Sequence, residues 1–265
     1  MIVIYPENEV AERRKCRATG PQASTTTRKV GRVARRLILG PLWSIPVERA
    51  IDALSDKAAG LDVQYATSRE FKQANLTIPG HIKLRTLYVI HPKAPLHYLP
   101  AASFHRMAFE QKFAEAWRLL MALGATSLVV EHEHGWSREV VGKVDVPVPE
   151  EKATVGLTTK GNAGARSKVL FEASFKSSGS PSVPEDLIWY PHEPLWQAIA
   201  ESRLKGGMNS FSLTLRYDDD FGVNADLIAK AEGAQIEIGG KFESHVETMW
   251  RIHGDFRKTR ARKSA

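Results

Sequence analysis

The stretch from residue 242 to residue 256 has the most regular pattern in the chain, and it limits what the chain can fold into. Every second residue from Phe242 to Phe256 is apolar or small, and the residues between them are nearly all polar. This period of two predicts a long β-strand with one face in the core and one in water. Because parallel sheets are normally covered on both faces, the pattern indicates an antiparallel sheet. Ile236 and Ile238 are predicted to pair with this strand across a three-residue loop.

Other stretches complete an α+β pattern. Further strands are predicted at residues 81–91, 126–133, 138–148, 153–159, 168–175 and 209–218. Helices are predicted at residues 44–60, 104–123, 193–206 and 224–231, and a short one follows a capping box formed by Thr67 and Glu70. We therefore expect an α+β fold: a mostly antiparallel twisted sheet with about three longer helices packed on one side, and disordered basic termini.

The net charge of +7 is concentrated at the two ends of the 265-residue chain. Residues 11–36 carry nine Lys and Arg against one Glu, and residues 257–265 carry five against none. Residues 37–256 are then slightly acidic, at −4. A folded domain that follows phosphates carries its cations on its own surface. Any polyanion binding is therefore expected to depend on the ends.

Composition also predicts the domain organisation. Residues 1–36 are expected to be a basic, largely disordered leader, residues 37–256 a single domain, and residues 257–265 a basic tail. An alternative within the domain is a division near residues 177–184 into two related halves. Residues 113–136 and 195–222 both have a helix, a glycine stop, a strand and an acidic cluster.

The basic segments and one basic loop supply the candidate polyanion-binding residues. These are Arg28, Lys29, Arg32, Arg35, Arg36, Lys160, Arg166, Lys168, Arg257, Lys258, Arg260, Arg262 and Lys263. Nucleic acid is the expected polyanion. The leader also has the spacing of a basic amphipathic helix, which leaves peripheral membrane contact open as an alternative. No apolar run approaches the roughly 20 residues that span a bilayer. With a single cysteine, Cys16, the composition favours a cytoplasmic protein.

A metal site is a second hypothesis, based on the sequence EHEHGW at residues 131–136. On a regular strand, His132 and His134 point to the same side and can bind one cation. A third ligand is required, and Asp218 or Asp220 at the end of the related strand offers one if the two strand ends are adjacent. Such a site activates a water molecule for hydrolysis. The alternative is that both strands simply end in solvated polar residues.

No complete catalytic motif accompanies these residues. Asp220-Phe221-Gly222 matches a kinase tripeptide, but the glycine-rich loop and the catalytic His-Arg-Asp of kinases are missing. Gly156 and Gly161 have the spacing of a phosphate-binding loop without its lysine. The sequence therefore favours a non-enzymatic binding protein. No cofactor is expected, although a divalent metal is possible at the histidines. The alternatives are a metal-dependent hydrolase and an effector that binds a partner protein or a membrane through its leader or the hairpin at residues 153–176.

Overall fold

The computed structural model describes residues 1–10, 55–58, 61–136, 169–176 and 180–258. Its strands are β1 (Ile2–Tyr5), β2 (Ser55–Ala58), β3 (Leu61–Thr67), β4 (Thr86–His91), β5 (Ala94–Pro100), β6 (Ala125–His134), β7 (Val169–Ser174), β8 (Ser210–Tyr217) and β9 (Thr248–Phe256). Its α-helices are α1 (Ser68–Gln73), α2 (Phe104–Ala122), α3 (Pro194–Gly206) and α4 (Ala225–Gly233). Residues 7–10 are also helical, and Ala101–Ser103 and Tyr190–His192 form short 3-10 helices.

The predicted α+β class is confirmed, but the strands form two mostly antiparallel sheets instead of one, and the helices outnumber the three expected. The chain divides into two compact units. The first unit consists of Met1–Phe104 and Phe221–Ser244, and the second of His105–Asp220 and His245–Ala265. The helices predicted at 104–123, 193–206 and 224–231 are confirmed as α2, α3 and α4, with boundaries within two residues.

The first unit is built around a strand that the sequence pattern did not reveal. Its sheet has the order β2-β3-β1-β4-β5, with β1 parallel to β3 and antiparallel to β4. Ile2, Val3 and Ile4 have no exposed surface. Within the leader at residues 1–36, which was expected to be largely disordered, Ile2–Tyr5 form a strand, because burying these apolar side chains at the sheet centre favours folding. The basic residues 11–36 lie outside the described residues.

A capping box begins α1, as the sequence predicts. The backbone N–H of Glu70 donates to Thr67 Oγ1 at 3.1 Å, and the N–H of Thr67 donates to Glu70 Oε2 at 2.9 Å. Two of the N–H groups at the helix start are thereby satisfied. This capping box fixes the passage from β3 into α1, whose Phe71 packs in the core with Ile2, Ile4 and Tyr88.

Two predictions in the first unit are wrong. Ser55–Ala58 is a strand antiparallel to β3, where a helix over 44–60 was expected; sheet pairing outweighs the local helical pattern here. The residues around Ile236 and Ile238 do not pair with β9. Glu237 bridges to Thr86 instead, and the Leu87 N–H donates to the Glu237 carbonyl at 2.7 Å. This placement buries both isoleucines in the first unit and leaves β9 to begin only at Thr248.

The second unit has an all-antiparallel sheet in the order β7-β6-β9-β8. On β9, Trp250 and Ile252 are fully buried, and Arg251 between them is exposed, which confirms the predicted solvated face. From α2, Phe109 and Phe113 pack against Trp250 with ring centroids 4.7 and 5.2 Å away. The predicted strands at 126–133, 168–175 and 209–218 correspond to β6, β7 and β8. Those predicted at 138–148 and 153–159 lie outside the described residues.

Buried charged side chains fix the loops of the second unit. Arg203, 5% exposed, donates to the carbonyls of Leu123, Met208 and Arg257 at 3.1, 2.7 and 2.7 Å. Its guanidinium also lies 4.9 Å from the Phe256 ring. One side chain therefore joins the end of α2, the turn after α3 and the end of β9.

A second such contact holds the aromatic loop that precedes α3. Glu115 of α2 accepts the backbone N–H groups of Ile188, Trp189 and Tyr190 at 2.6 to 2.7 Å. Burial raises the pKa of Glu115, and these three donors oppose that rise. One turn earlier, Lys112 forms an ion pair with Glu193 at 2.5 Å. The LIWYPHEPLW segment is thus fixed from α2 by both of these side chains.

Candidate functional site

The carboxyl ends of β6 and β8 lie at the same end of the second sheet, as the similar order of elements in the two segments suggested. Both strands are antiparallel to β9, which lies between them. His132 is level with Trp250, and Trp250 with Leu215 on the other side. Because neighbouring strands lie about 4.8 Å apart, the backbones of β6 and β8 are separated by about 10 Å. The strand ends are therefore close but not adjacent, and any contact between them is made by side chains.

The two histidines of EHEHGW do not point to the same side. His132 is level with Trp250 and His134 with Met249, and these two partners are consecutive residues of β9. Consecutive strand residues face opposite sides of a sheet, so the two histidine side chains do not share the face on which the prediction placed them. The cause is a β-bulge between His132 and His134, which takes Glu133 out of the regular pairing.

Each histidine also has a local partner. His132 Nε2 lies 3.0 Å from the carbonyl oxygen of Gly135, and His134 Nε2 lies 3.6 Å from a carboxylate oxygen of Glu247. The described residues contain no group of three or more His, Cys, Asp or Glu side chains arranged to hold a metal ion. Metal binding by His132, His134, Asp218 and Asp220 stays a prediction.

An aromatic and histidine cluster joins the two strand ends. We call it the Tyr217 cluster, and its members are Tyr217, Trp136, His105, His245 and Phe109. The Tyr217 ring centroid lies 5.8 Å from that of Trp136 and 5.6 Å from that of His245. His105 and His245 are 5.2 Å apart, and the Tyr217 hydroxyl is 3.0 Å from His105 Nδ1. No spacing in the sequence indicates this cluster, because His105 and His245 are distant in sequence from both strand ends.

The turn after β6 places Trp136 in the Tyr217 cluster. The Trp136 N–H donates to Thr248 Oγ1 at 3.2 Å, and Trp250 Nε1 donates to the Trp136 carbonyl at 2.7 Å. Gly135 has a φ of 84°, and a Cβ there would meet Thr248 Oγ1 at 2.4 Å. Only glycine therefore fits this turn. The turn formed by the HGW sequence passes over the start of β9 and places the Trp136 ring, which follows β6, against the Tyr217 ring at the end of β8.

The pKa of the Tyr217 hydroxyl determines which chemical role this residue can have in the cluster. Burial raises its pKa, and the charges of Asp219 and Asp220 raise it further. Tyr217 and His105 are 2% and 0% exposed. The phenol consequently stays protonated near neutral pH and provides a hydrogen-bonding hydroxyl rather than a nucleophile. Of the two aspartates predicted as metal ligands, Asp220 thus contributes to the raised pKa of the neighbouring Tyr217.

Two of the predicted polyanion-binding residues lie in the described part of the chain. Arg257 and Lys258 follow β9 and are both exposed. The Arg257 N–H donates to the Gly124 carbonyl at 3.0 Å, and its carbonyl accepts from Arg203. The remaining candidates lie outside the described residues: Arg28, Lys29, Arg32, Arg35, Arg36, Lys160, Arg166, Lys168, Arg260, Arg262 and Lys263.

Many basic side chains of the two units are instead paired with carboxylates. Arg251 pairs with Glu133 at 3.0 Å on the solvated face of the second sheet. Further pairs are Arg85–Glu9, Arg106–Glu110, Lys112–Glu193, Arg118–Asp186 and Lys205–Glu201. These pairs reduce the positive potential that the described surface offers to phosphate.

An open groove of about 650 Å³ lies in the first unit. Its walls include Lys83, Leu84, Thr86, Glu237 and Gly239. None of the residues proposed from the sequence for metal or polyanion binding lines it.

Comparisons with protein-family models, curated proteins and solved structures give no match to this chain. Within the residues that the structure describes, we find no helix with the length and apolar character needed to cross a membrane.

Proposed function

We propose that this protein binds a polyanion, with nucleic acid as the expected partner, through the basic segments near its two ends. The main observation in support is that the first residue of the carboxyl-terminal tail, Arg257, is held against the second unit by its backbone. Both backbone polar groups of Arg257 are hydrogen-bonded to the second unit, and its side chain is exposed. Residues 257–265 carry five Lys and Arg and no acidic residue.

The charge distribution supports this division of roles. The segment from residue 37 to residue 256 is slightly acidic, and several of its cations are paired with carboxylates. Phosphate binding releases counterions roughly in proportion to the number of cations that make contact. Cations concentrated in short segments that contain almost no carboxylates are therefore the strongest source of affinity that this chain has for nucleic acid. We expect weak dependence on sequence, because phosphate contacts do not read bases.

Fluorescence anisotropy with labelled duplex and single-stranded oligonucleotides tests the proposal on the full chain. In the tail variant, Arg257, Lys258, Arg260, Arg262 and Lys263 are all changed to glutamine. In the matched control, five exposed body residues are changed to glutamine, namely Arg69, Lys72, Lys176, Lys230 and Lys241. Both variants lose five positive charges, so they differ only in where the charge is lost.

The proposal predicts that the tail variant binds at least about tenfold more weakly than wild type at low salt, with a smaller loss in the control. A leader variant with Arg28, Lys29, Arg32, Arg35 and Arg36 changed to glutamine is expected to behave like the tail variant. Equal losses in the tail variant and the control would mean that the ends have no special role. No binding by the wild-type chain would reject the proposal.

A further inference from the structure

The carboxyl-terminal tail begins on a backbone that is held from two sides. The Arg257 N–H donates to the Gly124 carbonyl at 3.0 Å, and the Arg257 carbonyl accepts from Arg203 Nη2 at 2.7 Å. One residue earlier, the Phe256 N–H donates to the Asn209 carbonyl at 2.8 Å. Hydrogen bonds on both backbone groups of a residue restrict the rotation of its main chain. The Cα atom of Arg257 therefore has a set position on the second unit.

Arg203 makes most of the contacts that fix this position. It is 5% exposed, and its guanidinium also donates to the carbonyls of Leu123 and Met208 at 3.1 and 2.7 Å. The same guanidinium lies 4.9 Å from the centre of the Phe256 ring. A planar guanidinium donates in several fixed directions at once, which a lysine ammonium on a flexible stem does not reproduce. Arg203 thus connects the start of the tail to the turns after α2 and α3, and it is too buried to contact a phosphate itself.

The side chain of Arg257, in contrast, is exposed, and its charge acts on Arg203. Burial lowers the pKa of Arg203, and the nearby charge of Arg257 lowers it further. Two like charges that are held near each other repel, and an anion bound to Arg257 relieves that repulsion. The position that the backbone fixes is therefore one at which an anionic group is favoured.

We propose that Arg203 is a positioning residue of the nucleic-acid site: it fixes the main chain at Arg257, so that the first cation of the tail meets a phosphate from a set position. This inference rests on the proposed function, and it names the place on the second unit where the partner makes contact. A cation that is held in position before binding loses less conformational entropy on contact than a cation on an unrestrained chain. The bonds of Arg203 should therefore increase the affinity without adding a contact to the partner.

Two insertions of the same Gly-Ser-Gly-Ser sequence into the full chain test the proposal. The first lies between Phe256 and Arg257, so that an inserted glycine takes the place of Arg257 on the second unit. The backbone of that glycine can make the same two hydrogen bonds, and the fold should be kept. The second insertion follows Ala265, leaves Arg257 in place and serves as the control. Both variants have the same length, composition and charge, so they differ only in where the cations begin.

Fluorescence anisotropy with a labelled duplex at low salt compares both insertions with wild type and with the tail variant that has glutamine at its five basic positions. We expect the first insertion to weaken binding about five- to tenfold, because Arg257 is no longer held before contact, and the control to bind like wild type. Equal affinities for the two insertions would overturn the proposal. If the tail variant still binds more weakly than wild type in that case, the proposed function stands without the positioning role. Absence of binding by wild type would reject both.

A double-mutant cycle shows whether Arg203 is the residue responsible. Arg203→Lys keeps the charge but not the planar set of donors, so it should weaken binding at temperatures where circular dichroism shows that the variant is folded. In this variant the first insertion should weaken binding little further, because Arg257 is already released. Additive losses would contradict the proposal, since a residue that only stabilises the fold is not coupled to where the tail begins. If Arg203→Lys does not fold, the two insertions decide, because the first moves Arg257 away from Arg203 without changing either residue.

Discussion

The two units of this protein hold their structures together in different ways. The first unit surrounds β1 with neighbouring strands, and Ile2, Val3 and Ile4 are completely buried. The second unit leaves one face of its sheet in water and relies on buried charged side chains, Arg203 above all, to fix its loops. Apolar packing should therefore stabilise both units, and in the second unit a few charge-assisted hydrogen bonds should add to it by fixing the loops.

The largest expected effect is in the second unit, from Arg203→Met. The substitution keeps an apolar stem but leaves three carbonyls without their donor, which we expect to cost about 3 to 5 kcal/mol. Tryptophan fluorescence during urea unfolding measures it, because Trp117, Trp136, Trp189, Trp196 and Trp250 all lie in the second unit. Arg251→Met is the control, since its ion pair with Glu133 is half-exposed and should contribute about 1 kcal/mol or less. Equal losses in the two variants would contradict the role given to Arg203.

The corresponding change in the first unit is Ile4→Ala. Truncating this fully buried side chain should destabilise the first unit by about 3 kcal/mol, through lost burial and the cavity left behind. Hydrogen exchange in peptides covering β3 and β4 measures the loss of protection. The exposed Leu84→Ala in the same unit is the control. If Ile4→Ala leaves exchange unchanged, the strand does not form the centre of this sheet.

Glu115→Gln tests the second unit through pH. Burial raises the pKa of Glu115 in the folded protein above the ordinary glutamate value of about 4.5. Its favourable contribution is therefore greatest below about pH 4.5 and is lost as the pH rises through the raised value. Glutamine cannot accept three N–H groups equally well, so the variant should be less stable by about 1 to 2 kcal/mol at low pH. We expect the difference in unfolding free energy between wild type and variant to become smaller as the pH rises, and urea unfolding at several pH values measures it. A difference that grows with pH would contradict a raised pKa for Glu115.

The smallest effect is expected at the capping box of the first unit. Thr67→Ala removes the acceptor for the Glu70 N–H and should cost about 1 kcal/mol. Thr67→Ser retains a hydroxyl and should cost less. Hydrogen exchange in the peptide covering α1 compares the two variants. Equal exchange rates would show that the hydroxyl is not the stabilising group.

The same contrast explains how much of the fold could be predicted from the sequence. β8 and β9 of the second unit have one buried and one solvated face, so their residues alternate and the strands were found. β1 is buried along its whole length, and its four apolar residues carry no period. β5 contains Pro95 and ends at Pro100, and proline within a run of residues argues against a strand. A strand that is covered on both faces is apolar at every position, so it has no alternating pattern by which to predict it.

The candidate site was predicted only in part, for a related reason. The sequence located the two strand ends correctly, but a bulge between His132 and His134 reversed the direction of one histidine. Such a bulge depends on the pairing with β9, which the local sequence does not contain. The contact of Trp136 with Tyr217 and the bond from Tyr217 to His105 depend on tertiary packing and have no sequence spacing of their own. The predictions of local contacts that the structure confirms, such as the Thr67 capping box, involve residues that lie only a few positions apart in the sequence.

The salt dependence of nucleic-acid binding tests the central claim most directly. For duplex DNA, the slope of log K against log salt falls by about one for each cation that no longer contacts a phosphate. Changing the five basic residues of the tail to glutamine should therefore reduce the slope by about three to five, while the five-residue body control leaves it nearly unchanged. Parallel lines for wild type and the tail variant would contradict the claim that the ends of this chain hold its nucleic-acid partner.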